Sequence, residues 1–173
     1  MKILFVLHHA GVTPFARTLG LLAERGHLVH VAFKRVKTAE SARDLKQLAD
    51  EFPGITFGHV PGGRPSEWDP FARKLRATID YLRYLEPVYR DSPKLRARAE
   101  SEAPPAGRRL GGVVRPIPGG PRTARHALQG VERCIDPPPR ALAFLRDERP
   151  DVLLITPLIG FGTYQADLLR AAK

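Results

Sequence analysis

Apolar residues run without a break from Ile3 to Leu7, stop at two histidines, and resume beyond Gly11 at helical spacing with Phe15, Ala16, Leu19, Leu22 and Ala23. An unalternating apolar run predicts a strand covered on both faces, as in a parallel sheet. Thr13 before Pro14 reads as a helix N-cap followed by proline at the first helical position, and Gly26 as the residue that ends the helix. "HLVHVAF" then predicts a second strand, and right-handed crossover makes the two strands parallel neighbours. Further along, the pattern predicts a helix over 39–51 and a short strand in "ITFGHV". A glycine- and proline-rich loop, "PGGRPSEWDP", follows it. Phe71, Leu75, Ile79, Leu82 and Leu85 predict a long amphipathic helix over about 70–89, with Tyr81, Tyr84 and Tyr89 as core aromatics.

From about 100 to 125 the periodicity disappears. "SEAPPAGRRLGGVVRPIPGGPRTAR" holds many prolines and glycines among five arginines and predicts a loop or insertion without regular structure. Helical spacing returns over about 123–134, and Pro137, Pro138 and Pro139 open a helix reaching about Glu148. "RPDVLLIT" predicts a fourth strand, "PLIGFG" a loop, and 163–173 the start of a last helix. Strands alternating with helices predict an α/β fold: a Rossmann-like, open, doubly wound parallel sheet in three layers, with 1–173 as a single domain interrupted by the insertion. The last helical pattern is still running at Lys173, where a fifth strand is expected next. The expectation is therefore a sheet truncated at its C-terminal side and a longer, two-domain protein.

Charge narrows the chemistry. The 173 residues carry a net charge of +10 and are 43% hydrophobic. Such a surplus favours anionic partners such as phosphates, acidic lipid or nucleic acid, without choosing among them. One cysteine, Cys134, excludes an internal disulfide framework and a thiolate metal cluster, and no metal-ligand spacing is present. No apolar stretch reaches the length of a membrane span, and the first apolar run is too short for a signal peptide, so a cytoplasmic setting is expected.

Ligands of doubly wound sheets sit beyond the carboxyl ends of the strands. His8 and His9 stand there, on opposite faces if the strand continues; His9 is the better candidate general base and His8 the alternative, and a structural role is open for both. Gly11 and Thr13 open a helix whose first amides form a candidate anion site. Gly160, Gly162 and Thr163 form a second candidate nest, with a plain tight turn as the other reading. Neither GxGxxG nor GxxxxGK[ST] occurs, which removes support for a dinucleotide enzyme or an ATPase.

"KILFVLHHAGVTPFARTLGLLAERGHLVHVAF" and "ERPDVLLITPLIGFGTYQADLLRAAK" resemble two segments of the N-terminal domain of GT-B glycosyltransferases. The likeness covers about a third of the chain, and the "LAERGH" turn is its most specific part; the loop lacks the family's "GH..P" form. It implies an acceptor-binding domain in an enzyme that moves a sugar from a nucleotide diphosphate sugar to an acceptor hydroxyl, serving cell-surface glycan, glycolipid or secondary-metabolite synthesis. No cofactor is implied beyond that donor substrate. His9 or His8 falls near the family's base position, and this half alone is expected to be inactive. The acceptor would be a small molecule or lipid-linked. Arg108, Arg109, Arg115, Arg122 and Arg125 would allow peripheral contact with an anionic membrane at its inner face. Two alternatives stay open: a nucleotide-sugar epimerase of the same architecture, although its "GTRPE"-type loop is missing, and a non-catalytic anion- or nucleic-acid-binding domain. Arginines spread along the chain, and aromatics on apolar faces, argue against nucleic acid.

Overall fold

Every residue from Ile3 to Leu7 is buried, Leu4 and Val6 completely, as the apolar run requires. In a computed structural model, which describes residues 1–7, 11–34, 38–61, 69–156 and 162–173, this run is the central strand β1 (Lys2–Leu7). It pairs in parallel with β2 (Leu28–Phe33) on one side and with β4 (Val152–Thr156) on the other. Strand β3 (Ile55–His59) pairs in parallel with β2, so the order is β3-β2-β1-β4. The chain is α/β with a four-stranded parallel sheet.

Two compact units divide the chain. The first comprises Met1–Arg64, Pro137–Leu158 and Asp167–Lys173. It contains the sheet, α1 (Ala16–Glu24), α2 (Ala39–Glu51), α7 (Pro139–Glu148) and most of α8 (Gln165–Ala171). Alternation along the strands decides what each sheet face meets. Phe5 and Leu7, Val29, Val31 and Phe33, and Ile55 point to one face, where Leu19 of α1 and Leu45 and Leu48 of α2 complete the core. Lys2 and His30 lie on the other face, where both meet Glu148 at the end of α7. Thr38 caps α2, its Oγ1 accepting from the Ser41 amide at 3.1 Å, and Gly26 takes the left-handed conformation (φ 78°) that ends the first helix.

Pro65–Asp136 and Ile159–Ala166 form the second unit. Its helices are α3 (Asp69–Tyr84), α4 (Pro93–Glu102), α5 (Pro105–Val114) and α6 (Gly120–Arg133). Helix α3 packs against α4, α5 and α6 and buries Leu75, Ile79, Tyr81 and Leu82.

The structure corrects the sequence reading at three places. The stretch 100–125, expected to be irregular, is the end of α4, all of α5 and the start of α6. Its prolines stand where they cost no hydrogen bond: Pro105 opens α5, and Pro121 is the second residue of α6. Its buried glycines let helices approach. A Cβ on Gly107 would lie 2.7 Å from Thr78 Oγ1, and one on Gly111 would lie 2.5 Å from Tyr81 Cε1. Helix α3 stops at Tyr84 rather than continuing to Tyr89, because Pro87 holds Glu86 extended (ψ 150°) and opens a 3-10 turn, Pro87–Tyr89. Thr13, finally, is not an N-cap: Val12 precedes a 3-10 turn, Thr13–Phe15, which leads into α1.

Candidate functional site

Strand β1 ends at Leu7 between its two parallel neighbours, and the adjacent strand β4 ends beside it at Thr156. His8 and His9, the candidate bases, lie outside the described residues, as does Gly160. Gly11, Thr13, Gly162 and Thr163 are described.

Gly11 is exposed, and an added Cβ would meet nothing within 4 Å. Packing therefore does not demand glycine there. Thr13 is committed: its Oγ1 donates to Asp44 Oδ2 at 2.7 Å. The supply of free amides at this turn is small, since Pro14 has none and the Phe15 amide donates to the Val12 carbonyl at 2.8 Å. With the Asp44 carboxylate alongside, the turn suits a neutral, hydroxyl-bearing ligand better than a phosphate.

Gly162 is demanded by its surroundings. Its φ is +63°, and a Cβ would lie 2.5 Å from the Arg73 carbonyl oxygen. Its amide donates to Asp80 Oδ2 at 3.3 Å, so the second candidate nest has spent this donor on a carboxylate. Thr163 Oγ1 accepts from the Gln165 amide at 3.3 Å and thereby organises the start of α8. Gln165 itself is fully buried.

Around Asp80 stands a polar cluster that the sequence reading missed. Burial pushes the Asp80 carboxyl above the ordinary aspartate range; the Gly162 amide, Arg83 and Arg76 pull it back, while Glu132 adds to the rise. Arg76 is 5% exposed, and its Nε donates to Glu132 Oε1 at 2.7 Å. Burial also raises the Tyr164 phenol. The available signal was the spacing Arg76, Asp80, Arg83, which sets three charges at i, i+4 and i+7 on a helix whose neighbouring positions are apolar.

The sheet carries a second missed cluster. His30 Nδ1 is hydrogen-bonded with Thr56 Oγ1 at 2.8 Å, and Nε2 lies 3.8 Å from Glu148 Oε1. Lys2 Nζ reaches the other oxygen of Glu148 at 3.0 Å. Burial lowers the His30 pKa, and Lys2 lowers it further, against an upward pull from Glu148. Gly58 makes room for this ring, since a Cβ there would lie 2.6 Å from His30 Nε2.

Among the described residues no group of three or more His, Cys, Asp or Glu side chains is placed to hold a metal ion, and no helix is long and apolar enough to cross a membrane. Comparison with protein-family models, with curated proteins and with solved structures finds no match.

Proposed function

We propose that this chain is the N-terminal, acceptor-binding domain of a GT-B glycosyltransferase, its Rossmann-like sheet forming the middle of three layers. The observation that carries the reading is the order β3-β2-β1-β4, in which the central strand runs apolar to Leu7 and is followed at once by His8 and His9. Residues that follow the central strand of such a sheet lie at the point where strand order reverses, the usual place for a ligand.

In this reading His9 takes the proton of an acceptor hydroxyl. The freed oxygen attacks the anomeric carbon of a nucleotide diphosphate sugar, and the bond from that carbon to the diphosphate breaks with its electron pair leaving on the phosphate oxygen. Thr13 and Asp44 belong to the acceptor side, where a carboxylate accepts from a sugar or lipid hydroxyl. The diphosphate is left to amide donors or cations of a second domain.

The test uses the product of the whole coding sequence. It is incubated with nucleotide diphosphate sugars and a panel of hydroxyl acceptors, and sugar transfer is followed by mass spectrometry. Transfer that falls at least about a hundredfold in His9→Ala supports the reading. Interconversion of the donor sugar without use of an acceptor overturns it in favour of an epimerase.

A further inference from the structure

We propose that the turn joining α5 to α6 docks this chain on an anionic phospholipid surface, with Val113 and Ile117 entering the interface and Arg109, Arg115 and Arg122 meeting headgroup phosphates. This docking takes up the membrane contact expected of the arginine-rich stretch and assigns it to one turn, and vesicle binding tests it without any sugar transfer. Val113 is 67% and Ile117 52% exposed, four residues apart where α5 gives way to the turn before α6. Pro116 and Pro118, both exposed, flank Ile117. Lone apolar residues on a surface need no explanation, but two exposed aliphatic residues beside three exposed arginines call for one.

Backbone chemistry at Ile117 is compatible with that occupant. A side chain that reaches into the hydrocarbon is best presented by backbone whose N–H groups are already paired. Pro116 and Pro118 have none. The Arg115 amide donates to the Gly111 carbonyl at 2.9 Å, the Ile117 amide to Val114 at 3.1 Å, and the Gly120 amide to Ile117 at 2.9 Å. The turn is also tightly built: Gly119 has φ +72°, and a Cβ on Gly120 would collide with the Val114 carbonyl oxygen. Ile117 is thus presented with its amide and carbonyl already paired.

Charge agrees. Between Glu102 and Glu132 there is no acidic residue, against the five arginines Arg108, Arg109, Arg115, Arg122 and Arg125. This segment supplies half of the chain's net charge of +10. Arg125 is turned inward to Glu86, its Nε 2.7 Å from Oε1, whereas Arg109, Arg115 and Arg122 are exposed. Nucleic acid would use aromatic side chains to stack bases. The turn presents aliphatic ones.

The experiment is co-sedimentation of the full 173-residue chain at physiological salt with vesicles of phosphatidylglycerol and phosphatidylcholine in equal parts, and with pure phosphatidylcholine vesicles. The mixed vesicles should carry the protein down and the neutral ones should not. Arg109→Gln, Arg115→Gln and Arg122→Gln combined should weaken binding by about a hundredfold, about fivefold for each basic residue. Ile117→Asp should weaken it by at least about tenfold, and Ile117→Ser measurably, with circular dichroism melts matching the parent chain. Ile117→Trp, compared with the parent chain, should show tryptophan emission shifted to the blue on binding. Undiminished binding of Ile117→Asp, equal binding to neutral vesicles, or displacement by duplex DNA without a blue shift would each overturn the proposal.

Discussion

Gly162 donates its amide to the carboxylate of Asp80, 82 positions earlier in the chain, across 3.3 Å. The contact exists because glycine alone tolerates the site, where φ is +63° and the Arg73 carbonyl stands 2.5 Å from any Cβ. Gly162→Ala should therefore cost about 2 kcal/mol or more, measurable as a lower urea midpoint.

Asp80→Asn separates charge from geometry. Burial raises the Asp80 pKa in the folded chain, so between the unfolded and folded values the native state binds more protons and stability falls as pH rises. Asparagine still accepts the Gly162 amide and carries no charge. The variant should melt higher than the parent at about pH 7, and the difference should shrink on acidification to about pH 4. A gain that is independent of pH would show that Asp80 is not the cause.

His30 responds in the opposite sense. Its pKa is lowered on folding by burial, so the unfolded chain binds the extra proton and stability is lost as pH falls through about 6.5 toward the folded value. Urea midpoints at about pH 7.5 and 5.5 should differ more for the parent chain than for His30→Gln. Equal slopes would remove His30 from the account.

Two adjacent glycines of α5 should behave oppositely. Gly112 is exposed with nothing within 4 Å of a Cβ, and Gly112→Ala should stabilise the helix by about 0.5–1 kcal/mol. At Gly111 the same change drives a methyl group into the Tyr81 ring and should destabilise by about 1–3 kcal/mol. Paired thermal melts decide whether these glycines are breakers or spacers.

Glu132 neutralises an arginine that is almost wholly buried, with 2.7 Å between the charged atoms. Glu132→Ala removes this carboxylate from the buried charge and should cost about 1–3 kcal/mol. Arg76→Met combined with Glu132→Leu should recover most of the loss, because removing both charges also removes their desolvation.

The sheet and its flanking helices were legible wherever periodicity and punctuation agreed. Helix α2 runs over Ala39–Glu51 and α7 over Pro139–Glu148, the spans that the pattern predicts. The stretch 100–125 was not legible, because glycine and proline carry two opposite meanings. Proline in the first turn of a helix is neutral and in its middle disruptive, and glycine either weakens a helix or lets a neighbour approach. Only the presence of Thr78 and Tyr81 against Gly107 and Gly111 tells them apart. At the candidate site, glycines drew attention for their amides, yet Gly162 spends its own on a carboxylate 82 positions away, which no local spacing reveals. Asp80 does leave a trace in the local spacing with Arg76 and Arg83, but its partner Gly162 does not.

Strand order also sets the schedule of folding. Strand β1 is made before β2 and finds it after one short helix, but its other edge must wait for β4, and Lys2 meets Asp151 across 149 positions. During that wait α3 to α6 are synthesised and collapse on their own neighbours, as local helical contacts do quickly. An apolar strand with one unpaired edge is a template for association with other chains. A strand whose residues Ile3–Leu7 are all buried in the folded chain thus keeps one edge open to that hazard until β4 is made.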